Sequence, residues 1–173
     1  MNQQPPPPSR PPRYFISNAE TEFEKPRGVS RIETRDGYSQ VHVTHLPAGA
    51  TMAERMRVLG NVGKADVSID FLKLTPDGLS FLVPQDCTEQ IERVLQDCGV
   101  DFEVRRDRSI VLVHAVNIRD EEGLIADVVQ TAIGSGARVD HVGDMHDRLL
   151  MIVPTDQASQ LVRHVRQRWT DSE

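Results

Sequence analysis

The side chains most able to do chemistry crowd into one short stretch: Asp140, His141, Asp144, His146 and Asp147. Imidazole and carboxylate together suit a divalent metal or an acid–base pair. Successive strand side chains point to opposite faces, however, so these five do not share one. A polar hairpin turn is the expectation, with an enzyme or metal site here as the weaker alternative. His114, between Val113 and Ala115, reads as a satisfied structural histidine. Cys87 and Cys98 fall on one helical face with Ile91 and Leu95, which predicts buried, reduced thiols. Asp120, Glu121 and Glu122 open a helix, where the macrodipole favours negative charge. Gly134-Ser135-Gly136 follows a helix rather than introducing one, so it reads as a stop and not a phosphate loop. No Ser-His-Asp, Cys-His or paired-carboxylate arrangement has a supporting context. The expectation is a protein with no catalytic site, no metal and no cofactor.

Composition narrows the classes further. The 173 residues are 38% hydrophobic and 27% charged, enough for a packed core, and with 5% aromatics that core must rest on aliphatic side chains. The net charge of −6 argues against a nucleic-acid partner. The basic runs Arg105-Arg106-Asp107-Arg108 and 163–168 read as a solvated strand end and a solvated helix face. No apolar run approaches the roughly 20 residues of a membrane span, and the N-terminus lacks a signal-peptide core. A cytoplasmic protein with no membrane partner is expected. Seven of the eleven prolines lie in residues 1–26, which predicts a disordered, proline-rich tail.

The elements that must position these side chains repeat. Val83-Pro84-Gln85-Asp86 returns as Val153-Pro154-Thr155-Asp156, 70 residues later. At the same offset Val41 and Val43 meet Val111 and Val113, Leu59 meets Val129, Leu79 meets Leu149, and Ile91 meets Leu161. Each copy reads strand, helix, hairpin, helix. In the first, residues 40–46 alternate, and Thr51 with Glu54 predicts a capping box for a helix whose apolar stripe is Met52, Met56, Leu59 and Val62. Val67, Ile69 and Phe71 alternate again, Pro76-Asp77-Gly78 turns the chain, and Asp86 is expected to cap the next helix. Phe102 and Val104 then form a closing strand. The second copy lacks that strand, while a β-like segment over 27–36 precedes the first. The economical solution assigns 27–36 to the second copy, since a bare sheet edge would otherwise be exposed.

This layout resembles the regulatory region of aspartate kinases, a tandem pair of ACT domains with the first inserted into the second. The resemblance implies an α+β fold of two ferredoxin-like βαββαβ units, antiparallel sheets with helices on one face. It places the first unit at 37–107 and the second at 108–170, completed by the strand at 27–36. It also implies a non-catalytic, amino-acid-sensing module that binds a small effector, forms a homodimer and modulates a partner enzyme such as an amino-acid biosynthetic kinase. The family's effector loop falls on Pro47, Ala48, Gly49, Ala50 and Thr51 in one copy, and on Asn117, Ile118, Arg119, Asp120 and Gly123 in the other. Ala48 stands where the family carries an aspartate, and Leu72 and Lys73 stand where it carries Gln-Asn. These departures favour an alternative, an interaction or dimerisation module that keeps the fold without an effector.

Overall fold

In the computed structural model, which describes residues 28–115, 118 and 122–170, the strand-like segment at 27–36 and the strand at 40–46 run together. They form one strand, β1, Val29–Thr44. There follow α1 (Thr51–Lys64), β2 (Asp70–Thr75), β3 (Gly78–Pro84), a 3-10 turn (Gln85–Cys87), α2 (Thr88–Cys98), β4 (Asp101–Ala115), α3 (Leu124–Gly134), β5 (His141–Asp144), β6 (Arg148–Pro154) and α4 (Thr155–Thr170). The strands make one antiparallel sheet in the order β2-β3-β1-β4-β6-β5.

The two long strands divide their work. Residues 38–43 of β1 pair with β3 on one side and with the first half of β4 on the other. Residues 29–35 pair with the second half of β4, whose far side carries β6. Where the halves meet, the ladder slips between Arg35 and Tyr38, and Asp107 takes a φ of 54°. Such bulges raise twist and bend a strand. Asp36-Gly37 and Asp107 therefore bend two continuous strands where their residue types would suit loops.

Period-2 alternation sends Val41, Val43, Leu79, Phe81 and Val83 against Val58 and Val62 of α1 and Ile91 and Leu95 of α2. Val111, Val113, Leu149, Met151 and Val153 meet α3 and α4 in the same way, through Val128, Leu161 and Val165. A third core occupies the opposite face: Leu82, Ile110, Leu112, Leu150 and Ile152 are buried there, with Tyr38 and Phe71 packed against them. Among the described residues no helix supplies that cover. β2 and β5 end the strand order, yet the ring of Phe71 lies against Gly143 and His141. The sheet thus curls until its helix-free face closes on itself. Gly143 permits this, because an added Cβ would fall 2.5 Å from the Phe71 ring.

Four local expectations are corrected. Met52 and Met56 are 61% and 69% exposed, and the buried line of α1 runs through Val58 and Val62. At that end of α1 it is Arg55 that meets the sheet, donating to the carbonyls of Thr75 and Gly78. Thr51 is the first helical residue and not a cap; its hydroxyl donates to the carbonyl of Pro47 at 2.9 Å. Asp86 sits inside the 3-10 turn, and α2 has no side-chain cap. Finally, β2 begins at Asp70, with Phe71 at a φ of 48° and a register slip before Lys73. That slip turns Phe71 to the face opposite Val67 and Ile69, which stay with the helical core.

Candidate effector loops and the polar interior of the sheet

The loop at 47–51 links β1 to α1. Pro47, Ala48 and Gly49 are exposed and Ala50 and Thr51 half-buried. Ala50 donates to the Pro47 carbonyl, the Glu54 amide donates to Ala50, and no side chain caps the helix. The loop contains no charged side chain, so what it offers a ligand is backbone and one hydroxyl. Asn117, Arg119 and Asp120 of the matching loop lie outside the described residues. Ile118 is fully buried in the core beneath α3 and α4, so it anchors the loop and cannot line a surface site. Gly123 is exposed and precedes α3 at a φ of 80°. The loops follow the C-terminal ends of β1 and β4, which are antiparallel, with Thr44 opposite Asp101 and Val29 opposite Ala115. They therefore stand at opposite ends of one ladder, and a single chain does not bring them together.

The richer chemistry lies inside the curl, where Asp140 and His141 meet polar residues of β1 and β4. In register, Gln40 faces Leu82 and Arg105, and His42 faces Ser80 and Glu103, so these side chains share the helix-free face. His141 and Gly143 reach the same interior from β5, opposite Ile152 and Leu150. The rings of His42 and His141 meet edge to face, 5.8 Å between centroids, and Phe71 takes a similar position on His141. Asp140 is the charged hub, its side chain only 2% exposed; its carboxylate pairs with Arg105 at 3.2 Å, Arg108 at 2.9 Å and Arg138 at 2.8 Å. Arg105 and Arg108 are thus drawn inward, correcting the expectation of a solvated strand end. Arg105 also grips Glu103, which holds that carboxyl below its ordinary value.

Polar groups remain unanswered in this interior. Gln40 is 0% exposed, and neither its amide nitrogen nor its oxygen has a partner among the described residues. The Nε2 atoms of His42 and His141 are likewise buried and unpartnered. Nδ1 of His141 is committed to the carbonyl of Asp140. Burial pushes the His42 imidazole below 6.5, helped by the Arg105 guanidinium and by His141; the Glu103 and Asp140 carboxylates oppose this and do not prevail.

The remaining candidates disperse. Of the 140–147 stretch, Asp140 and His141 turn inward, while Asp144, His146 and Asp147 stay exposed, Asp147 with Arg148. Among the described residues no group of three metal-ligating side chains forms. His114 is 8% exposed beside Glu33 and Arg31. Cys98 is buried, accepting from Asn61, and both cysteines are free thiols. No described helix is long and apolar enough to cross a membrane. A groove of about 640 Å³ runs between Thr34 and Asp36 of β1 and Ser159, Val162 and Arg163 of α4. A smaller cavity of about 160 Å³ opens from the third core beside Phe71, Leu112 and Leu150.

No family model and no curated protein matches the sequence. Solved structures do match. The regulatory subunit of aspartate kinase from Thermus thermophilus, in ligand-free form, aligns over 82% of this chain and 97% of its own, at a TM-score of 0.72 and 18% identity. A structure of aspartokinase alpha and beta subunits aligns over 83% and 99%, at 0.74 and 16%. The fold is that of the aspartate kinase regulatory subunits. E. coli aspartokinase III in complex with aspartate and ADP aligns over 85% of this chain and 35% of its own, at a TM-score of 0.70 and 13% identity. The expected α+β fold is therefore present, and among the described residues it forms one curled antiparallel sheet with four helices where two sheets were expected.

Proposed function

We propose that this chain is a non-catalytic regulatory module of two ACT units, 37–107 and 108–170, the second completed by the strand at 27–36. It binds a small effector, an amino acid, and modulates a partner enzyme such as an amino-acid biosynthetic kinase. The observation that carries this reading is the match to aspartate kinase regulatory subunits, in which nearly the whole of each neighbour is accounted for. The split pairing of β1 and β4 supports the two-unit reading: each half of the ladder has its own hairpin, helix pair and core.

Because the two effector loops stand at opposite ends of one ladder, an effector that uses both draws them from two copies of the chain. A homodimer is proposed on that ground, with α1 and β2 at the contact: Met52, Met56, Leu72 and Leu74 are the large apolar side chains exposed on these neighbouring elements. Asp120 is proposed to hold the ammonium group, and free amides at the start of α1 the carboxylate. Thermal denaturation against the twenty amino acids tests the reading. A ligand present at 100 times its Kd stabilises by about 2.7 kcal/mol, roughly 5–10 °C for a chain of this size. Asp120→Ala should remove most of that shift. If no amino acid raises Tm while the protein is dimeric, the alternative gains the ground: a dimerisation module without an effector, which the uncharged loop at 47–51 favours.

A further inference from the structure

We propose that the His42–His141 contact is a proton-sensitive latch that holds the two helix-free half-faces of the curled sheet together at neutral pH and releases them on acidification. This goes beyond the effector reading and does not depend on it.

The latch is built where the two ends of the strand order meet. His42 lies on β1 within the half of the sheet that carries β2 and β3; His141 lies on β5 in the other half. Their rings touch edge to face, with Phe71 of β2 completing the contact. As a neutral imidazole His42 suits this interior, where burial holds its pKa below 6.5. Nδ1 of His141 donates to the Asp140 carbonyl, and its buried Nε2 has no partner among the described residues. A second proton on His42 would place an N–H donor and a charge at a buried Nε2 that has no acceptor among the described residues.

The surroundings do not rescue that charge. From β4, Arg105 adds a cation, and its neighbour Glu103 is already held by Arg105 at 2.8 Å and 3.3 Å. Ahead of β5, the Asp140 carboxylate is shared by Arg105, Arg108 and Arg138. β3 faces His42 with uncharged Ser80, β6 faces His141 with Ile152, and Asp70 at the start of β2 is exposed. Protonation of His42 is therefore resisted in the closed form and free in an open form where its ring is hydrated. By linkage the proton then favours opening. The bends at Gly37 and Asp107 supply the hinge, and the cores under the helices need not move.

The magnitude follows from the ordinary histidine value of 6.5. If His42 is protonated only when open, acidification from pH 7.5 to 5.0 multiplies the opening constant by up to about 30. Native-state hydrogen exchange on the full chain reads this directly, after correction for the intrinsic pH dependence of exchange. Amides of β2 and β5 should show a 10- to 30-fold larger opening constant at pH 5.0, and those of α2 and α4 less than a 3-fold change. The double variant His42→Gln, His141→Gln should hold the β2 and β5 change below 3-fold. Should that variant not fold, His42→Phe keeps an aromatic ring in the contact and should show the same loss of response. An unchanged wild type, an equal rise in the variants, or an equal rise in the helices overturns the latch.

Discussion

Replacing Asp140 with Asn removes one negative charge and almost no volume from the point where three guanidiniums converge. Two of the three partners are substantially withdrawn from water: Arg108 is 12% and Arg105 28% exposed, against 57% for Arg138. Deleting one member of a buried ion pair costs about 3–5 kcal/mol, because the partner charge is left uncompensated. An exposed pair such as Arg138 with Asp140 adds between 0 and about 1 kcal/mol. Since Arg105 keeps Glu103 as a second partner, the low end applies, and Asp140→Asn should cost about 3 kcal/mol. In a chain of this size that lowers Tm by roughly 6–12 °C. Urea denaturation followed by circular dichroism measures it, with Asp101→Asn as the control, since the His45–Asp101 pair is 75% and 78% exposed and should change stability by less than about 0.5 kcal/mol. Pairing Asp140→Asn with Arg108→Gln should recover about 1 kcal/mol or more as a coupling energy. A loss below about 1 kcal/mol for Asp140→Asn would mean that water reaches both guanidiniums, and the dry, closed inner face argued from these ion pairs would be refuted.

Other expected outcomes follow from single sites. Gly78→Ala places a Cβ 1.9 Å from the Val43 carbonyl oxygen, a backbone atom, and should cost about 3 kcal/mol or more; Gly60→Ala in α1 meets open space and should stabilise by up to about 1 kcal/mol, both read from urea midpoints. Burial, then the neighbouring Asp86, raises the Cys87 thiol above 9.0, so in a Cys98→Ala background its alkylation at pH 7.5 should be slower than that of a free thiol and should still be accelerating past pH 9; saturation below pH 9 would contradict this. Met56→Glu should leave Tm of the monomer within a few degrees while converting the proposed dimer to monomer in light scattering, because Met56 is 69% exposed and touches no core. Persistence of the dimer would move the interface elsewhere.

Much of the fold was legible because local periodicity and the repeat agree. The 70-residue offset pairs Val41 with Val111 and Leu79 with Leu149; Val41 and Leu79 lie in the core beneath α1 and α2, Val111 and Leu149 in the one beneath α3 and α4. The need to cover a bare edge placed the segment at 27–36 beside the last copy, where it pairs with β4. Helix ends were less legible. Thr51 and Asp86 have the residue types of caps, but the backbone of 47–51 and the 3-10 turn already satisfy those ends, so their hydroxyl and carboxylate do other things. Met52 and Met56 fit a helical stripe as well as Val58 does; which line is buried depends on where α1 is pinned, and Arg55 pins it to the β2–β3 turn.

By itself the sequence determined that hydrophobic positions recur at an offset of 70 and which residues alternate in strands. Period 2 separates the two faces of a strand but is silent on what the second face meets. Gln40, His42, Arg105 and Asp140 look solvent-bound in one dimension because they are polar and alternate with valines or lie near turns. Only the tertiary structure decided otherwise. Bends at Gly37 and Asp107 curl the sheet, β2 and β5 meet although 70 residues separate Phe71 from His141, and the polar face of one half becomes the interior lining of the other. The physical reason is that burial is a property of the closed surface, fixed by long-range contacts that no local pattern encodes.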